Sequence, residues 1–174
     1  MVEPTVYING LFTPLSNAKI SILDRGFCYG DGLFETLRAS NGKIFYIEQH
    51  IDRFFESMQQ ILIELPMTRL ELTKVVQETL ARNKYKNAII RLLVTRGDTQ
   101  SNIQIDSKNH PTLVINIRPY TPLPKAAYKK GIRIMLFQER ANLINGLKRR
   151  LKSCNYLSNV LIKELSDRKN YMEG

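Results

Sequence analysis

Any chemistry in this sequence would rest on a few cationic side chains set among apolar ones. Arg53 stands in His50-Ile51-Asp52-Arg53, between Ile51 and Phe54, at the edge of an apolar stripe. An arginine there either snorkels to water or holds an anion. Arg91 interrupts the apolar run Ala88-Ile89-Ile90-Arg91-Leu92-Leu93-Val94. Strand alternation would put Ile89, Arg91 and Leu93 on one face, where a guanidinium is costly unless paired. Its partner could be the carboxylate of a ligand or an acidic side chain of the protein. Lys148, Arg149, Arg150 and Lys152 form a basic run, which reads as a solvated face or a phosphate-binding patch. The loop Asp24-Arg25-Gly26-Phe27-Cys28-Tyr29-Gly30-Asp31-Gly32 has three glycines but neither a P-loop ending nor a G-x-G-x-x-G spacing, so alone it reads as a structural turn. His50 and His110 lie far apart and Cys28 and Cys154 are isolated, so no metal site is expected.

These residues need elements to hold them. Val6-Tyr7-Ile8 and Leu11-Phe12 flank Asn9-Gly10, and Leu33 to Arg38 and Lys43 to Tyr46 flank Asn41-Gly42. Asn-Gly supplies the positive φ angles of a tight hairpin, so the spacing predicts an antiparallel sheet. Ile51, Phe54, Phe55, Met58, Ile61, Leu62 and Leu65 then recur at helical steps, predicting a helix that Pro66 ends. Thr68 with Glu71 has the form of a capping box and opens a second helix to about Lys84. Strands are expected over 88–95 and 112–117, with a polar loop between them. Pro119, Pro122 and Pro124 mark a stiff linker. Beyond it, Ile132 to Phe137 reads as a strand, 142–152 as a loop, and Leu157 to Leu165 as a final helix. The domains expected are residues 1–118, a linker at 119–125, and the opening of a second domain at 126–174.

The 174 residues are enough for one large domain or two small ones. A 43% hydrophobic content argues against disorder, and no apolar run reaches membrane-spanning length. The first ten residues lack the basic and apolar regions of a secretory signal, so a cytoplasmic protein with free thiols is expected. The formal charge of +10 suggests an anionic partner. Its distribution is uneven: residues 1–118 carry 14 basic and 12 acidic side chains, whereas 119–174 carry 12 and 4. No aromatic interleaving, zinc spacing or RNA-recognition signature accompanies the basic run, so neither nucleic-acid nor membrane binding is expected.

Five segments, in order, resemble the class IV aminotransferases, pyridoxal-phosphate enzymes that include branched-chain and D-amino-acid aminotransferases and aminodeoxychorismate lyase. They are Tyr7-Ile8-Asn9-Gly10, Asp24 to Arg38, His50-Ile51-Asp52-Arg53, Ile90 to Gly97, and Leu151 to Asn159. The resemblance implies an α+β chain of fold type IV, with a small two-layer N-terminal domain followed by an incomplete, barrel-like C-terminal one. It implies pyridoxal 5'-phosphate as cofactor, amino acid and 2-oxo acid substrates, and a homodimer.

The resemblance also implies residue roles. Lys152 is similar to the lysine that holds the cofactor covalently and moves a proton during the reaction, chemistry that needs a titratable amine. Arg53 is similar to the arginine on the cofactor phosphate, and Tyr156 to the tyrosine near the ring hydroxyl. Tyr29 and Phe34 match positions that line the substrate pocket, often from the neighbouring subunit. Arg91 matches an arginine near the substrate carboxylate in branched-chain enzymes. The loop from Asp98 to Asn109 lacks the arginine and histidine that D-amino-acid enzymes place there, which favours a branched-chain type. Thr95-Arg96-Gly97 leans toward the D-amino-acid and lyase branches.

The family continues past the lysine-bearing helix with a Glu-Gly-x-x-x-Asn segment for the pyridine nitrogen and phosphate. Here Glu173-Gly174 reads as the end of that helix, so a truncated chain is expected. Three functions follow: an aminotransferase, an aminodeoxychorismate lyase, or a truncated paralogue that serves as a binding or dimerisation module.

Overall fold

The computed structural model describes residues 3–98, 103–105, 110–137 and 151–173. Contacts divide the chain into two units, Met1–Tyr120 with Leu151–Cys154, and Thr121–Arg150 with Asn155–Gly174. The sequence places 126–174 in one domain; Leu151–Cys154 instead joins the first unit.

In the first unit both Asn-Gly pairs make hairpins. Strands β1 (Thr5–Ile8) and β2 (Leu11–Pro14) join through Asn9 at φ 45° and Gly10 at φ 98°. Strands β3 (Gly32–Ser40) and β4 (Lys43–Ile44) join through Asn41 at φ 50° and Gly42 at φ 76°. Two positive φ angles in succession are the backbone of a type I′ turn, which asparagine and glycine tolerate best. Between the hairpins, helix α1 (Arg25–Tyr29) occupies the glycine-punctuated loop, with the Asp24 carboxylate accepting from the Gly26 N–H at its start.

Strands β5 (Ala88–Thr95) and β6 (Thr112–Pro119) complete a six-stranded antiparallel sheet in the order β2-β1-β6-β5-β3-β4. Helices α2 (Ile47–Gln60) and α3 (Arg69–Asn83) cover one face. Leu33, Leu37, Ile90, Leu92, Ile115 and Ile117 point into that layer, against Ile51, Phe54 and Met58 of α2 and Leu72, Val76 and Leu80 of α3. The side-chain period of two thus separates a sealed face from an open one. Thr68 and Glu71 form the reciprocal capping box expected for α3.

Helix α2 ends at Gln60, six residues before Pro66, and Leu62 adopts φ 58° with its side chain exposed. The proline is not what stops it. Arg96 donates from Nη2 to the Ile61 carbonyl and from Nη1 to the Leu62 carbonyl, each at 2.7 Å. A cation beside the last carbonyls satisfies acceptors that a continuing helix would otherwise use.

In the second unit, helix α4 (Lys125–Lys130) follows the prolines and helix α5 (Leu157–Arg168) follows the lysine segment. The strand expected over Ile132–Phe137 reduces to one parallel bridge, Ile134 with Glu173. Among the described residues no further strand runs beside it to extend the ladder. Glu173 is therefore not the end of the helix, as the sequence suggested. The helix stops at Arg168, Asn170 turns the chain at φ 57°, and Glu173 lies in an extended segment whose carbonyl accepts from the Met135 N–H. The buried Ser166 ties that turn together, its carbonyl accepting from the Tyr171 N–H. Among the described residues no helix is long and apolar enough to cross a membrane.

Candidate functional site

The edge of β3 not covered by β4 receives the lysine segment. The Phe34 N–H donates to the Lys152 carbonyl at 2.8 Å, the Cys154 N–H donates to the Gly32 carbonyl at 2.9 Å, and Leu33 bridges Ser153 antiparallel. Alternation then sorts the side chains. Leu151 packs against the apolar core, and Lys152 falls on the opposite, open face with Phe34. There the Lys152 ammonium lies 5.1 Å from the centre of the Phe34 ring.

Arg91 joins them. It pairs across the sheet with Thr36, diagonal to Phe34, and its guanidinium lies 4.8 Å from the same ring centre. Phe34 is buried, so one aromatic ring organises two cations. Arg91 is not the buried, costly guanidinium that its apolar neighbours suggest: the alternation is as expected, but its face is the one without helices, and Arg91 is exposed. It has no acidic partner among the described residues. Thr36 Oγ1, beside Arg91 in the register, is buried without a hydrogen-bond partner among the described residues.

Arg53 belongs to the other face. From α2 it grips Glu35, donating from Nε to Oε2 at 2.8 Å and from Nη2 to Oε1 at 2.7 Å. Glu35 is 2% exposed and shares the sealed face with Leu33 and Leu37. Its Oε1 also accepts from the Thr36 N–H, and His50 Nδ1 sits 3.3 Å away. Burial pushes the Glu35 carboxyl up, but the Arg53 and Thr36 hydrogen bonds and the charges of Arg53 and His50 outweigh it and hold it below its usual range. Arg53 therefore neither simply snorkels nor waits unpaired. The edge of its fork is occupied, while Nη1 has no partner among the described residues.

Tyr29, at the end of α1, is half-exposed beneath the Arg25 guanidinium, 5.2 Å from its ring centre. Tyr156 belongs to the second unit, at the start of α5. So Lys152, Phe34 and Arg91 are brought together, and Arg53 is held on the next β3 residue but on the opposite face. Lys148, Arg149 and Arg150 lie outside the described residues, as does much of the Asp98–Asn109 loop. The pKa of the Cys154 thiol is pushed up by burial and by nearby Asp24, which favours the protonated form. No cluster with metal-ligand chemistry occurs among the described residues.

A second charged cluster supports this architecture. Asp31 accepts from Arg25 Nε and Arg96 Nε, each at 2.8 Å to Oδ2, and from Arg96 Nη2 at 3.1 Å. Arg25 continues to the carbonyls of Ile103 and Gln104. The pair of arginines thus ties α1, the end of α2, the end of β5 and residues 103–104 to one carboxylate. Burial raises the Asp31 carboxyl, but hydrogen bonds and charges from Arg96 and Arg25 outweigh it and leave it lowered.

Glu35 and Asp31 were missed as functional candidates in the sequence. The signal for Glu35 was present: in Leu33-Phe34-Glu35-Thr36-Leu37 it alternates with two core leucines, as Arg91 does with its neighbours. Asp31 had no such signal, because its partners lie 6 and 65 residues away.

Both lowered carboxyls give a pH prediction. A carboxyl whose pKa is lower in the fold stabilises fully above its unfolded value and loses that contribution as pH falls through the folded one. Circular dichroism should therefore show stability lost below about pH 4. In Glu35→Gln the slope of that acid limb should be shallower.

An amine and one guanidinium thus meet at the Phe34 ring on the open face, and a second guanidinium, Arg53 of α2, is held by Glu35 on the sealed face; cations so placed suit anionic groups. Residues 32–174 match the family model for amino-transferase class IV. The chain is 38% identical over 158 residues to a Methanocaldococcus jannaschii protein provisionally named a branched-chain-amino-acid aminotransferase, covering 91% of this chain and 54% of that one. It is 33% identical over 169 residues to D-alanine aminotransferase of Staphylococcus haemolyticus, covering 97% and 58%. Among solved structures, the branched-chain amino acid aminotransferase of T.th. with pyridoxamine 5'-phosphate superposes with a TM-score of 0.88 at 25% identity, covering 98% of this chain and 58% of that one. The 4-amino-4-deoxychorismate lyase of Pseudomonas aeruginosa superposes at 0.74 with 26% identity, covering 91% and 56%. This chain belongs to the class IV aminotransferase family, and its fold is that of the fold-type IV enzymes. It spans little more than half the length of the relatives it matches.

Proposed function

We propose that the protein acts as a pyridoxal-phosphate-dependent aminotransferase, moving an amino group between an amino acid of branched-chain type and a 2-oxo acid. The observation that carries this reading is the convergence of Lys152 and Arg91 on the buried Phe34 ring. The donor set fits the cofactor: an amine for its aldehyde, a guanidinium end on Arg53 for its phosphate, and a Thr36 hydroxyl, without a partner among the described residues, beside the candidate carboxylate site. When bound, pyridoxal phosphate supplies a reactive carbonyl and an electron-accepting ring.

The chain's own residues do the rest. Lys152 would hold the cofactor through its amine, and the same amine, when free, would move a proton as general base and acid. Its backbone is fixed to β3 on both sides, so the amine works from a rigid edge. Arg91 orients the substrate carboxylate, and Phe34 screens the amine from water on one side. Arg53 anchors phosphate. By the family resemblance, Tyr156 serves the ring hydroxyl and Tyr29 lines the pocket of a second copy.

A homodimer is supported by the apolar side chains exposed around α1, namely Ile20, Ile22, Leu23, Phe27 and Tyr29, which suit burial against a partner surface. A cytoplasmic location accords with the pair of free thiols.

Lyase chemistry on the same lysine is the second reading, favoured by the fold match to the Pseudomonas aeruginosa enzyme. The two separate by assay. Leucine with 2-oxoglutarate should yield glutamate, whereas aminodeoxychorismate should release pyruvate only under the lyase reading. D-Alanine as the sole donor accepted would overturn the branched-chain assignment. Arg91→Gln should raise KM for the amino acid about ten- to a hundredfold with a smaller change in kcat, the result of losing one charge-assisted contact. An unchanged KM would remove Arg91 from the carboxylate site.

A further inference from the structure

We propose that Glu35 is a positioning residue for phosphate binding: it grips the Nε–Nη2 edge of Arg53 and fixes the guanidinium with its Nη1 end toward the cofactor phosphate. The inference rests on the reading of Arg53 as the phosphate ligand and adds the group that makes it one.

Arg53 alone is poorly suited to the task. Its side chain is half-exposed on a helix surface and has four rotatable bonds to order. Glu35 removes that freedom. A carboxylate on the sealed face of a sheet is costly, and two parallel N–H to oxygen bonds are the geometry that offsets the cost best. Glu35 is itself held, by the Thr36 N–H on Oε1 and by the strand that carries it.

The edge chosen matters. The guanidinium has five N–H donors in a planar fork, and the carboxylate takes the side edge. Nη1, without a partner among the described residues, remains for a second anion. The neighbouring residue of β3, Phe34, carries the backbone hydrogen bond to Lys152. Consecutive residues of one strand thus fix the lysine that takes the aldehyde and the arginine that takes the phosphate. The lysine is thus held through its backbone and the arginine through its guanidinium, which limits the freedom of both.

The test compares pyridoxal phosphate with pyridoxal, which lacks only the phosphate. Each is titrated into the full chain and trapped on lysine by borohydride, and the adduct is quantified by mass spectrometry, so no turnover is needed. The wild type should trap pyridoxal phosphate in preference to pyridoxal. Arg53→Gln should abolish that preference. Glu35→Gln, which keeps the side-chain shape, should weaken the preference about tenfold and leave the trapping of pyridoxal unchanged. The double variant should be no worse than Arg53→Gln, because both changes remove one unit.

Glu35→Asp keeps the charge but cannot span the fork. It should lose the preference in the same way, and it serves if Glu35→Gln folds poorly by circular dichroism. A Glu35 variant that keeps the full preference, or that weakens both aldehydes equally, overturns the proposal while leaving Arg53 as the ligand. A wild type without preference, or an Arg53→Gln variant that retains it, overturns the Arg53 reading and the proposal together.

Discussion

Lys152→Ala is expected to abolish covalent capture of pyridoxal phosphate. Trapping with borohydride should leave the variant at its unmodified mass, while the wild type gains one cofactor whose position maps to residue 152. The expectation is all-or-none because the bond needs a primary amine and alanine has none. Specificity comes from placement. Lys152 is half-buried at the edge of β3, its carbonyl accepting from the Phe34 N–H and its ammonium set over the Phe34 ring. Lys163, exposed on α5 and paired with Asp167, is the matching control, and Lys163→Ala should change nothing. Equal trapping by Lys152→Ala would end the catalytic assignment and leave the binding-module reading.

Asp31→Asn is expected to be the most destabilising single polar change in the first unit. The variant keeps the size of the side chain but removes the negative charge between two guanidiniums that are 4% and 7% exposed. Removing one partner of a buried ion pair leaves the other charge uncompensated and costs about 3–5 kcal/mol. Asparagine can still accept one hydrogen bond, so a cost of about 3 kcal/mol is expected. Thermal unfolding should fall by about 10 °C for a domain of this size. The damage should also reach the end of α2, since Arg96 caps the Ile61 and Leu62 carbonyls only while Asp31 holds its other edge. Hydrogen exchange at Ile61, Leu62 and Ile63 should accelerate more than in α3. A variant with wild-type stability would show that the two arginines are satisfied by backbone carbonyls alone.

Much of the fold was legible because it depends on local rules. Both hairpins follow from Asn-Gly, α3 from its capping box, and the sealed and open faces of β3 and β5 from alternation. The end of α2 was not legible. Periodicity continues through Ile61, Leu62 and Leu65, but the helix is stopped by Arg96, more than thirty residues on. The strand expected at Ile132–Phe137 failed for a related reason: an apolar run becomes a strand only where another strand offers hydrogen bonds, and among the described residues only the short stretch Met172–Glu173 does.

The candidate site divides in the same way. Arg53 and Arg91 were found as cations in apolar company and Lys152 in a basic run, and the resemblance assigned them roles. Their relations were not available from spacing. Arg91 was read as costly unless paired, yet it stands exposed on the open face, because the helices after β4 cover the side of Leu33, Glu35 and Leu37. Arg53 was weighed between solvent and an anion, yet its first partner is Glu35, eighteen residues earlier on a strand beneath it.

The sequence by itself determined the local geometry and the inventory of groups: which turns close, which faces are apolar, and which amine and guanidiniums are available to them. Those are short-range consequences of backbone preference and side-chain period. Only the tertiary structure decided which of those groups meet. Pairing of Leu151–Cys154 with β3 places Lys152 beside Phe34 and Arg91, and packing of α2 on the sealed face closes Arg53 onto Glu35. Such contacts between distant segments depend on the shape and burial of the whole sheet, which no local pattern encodes.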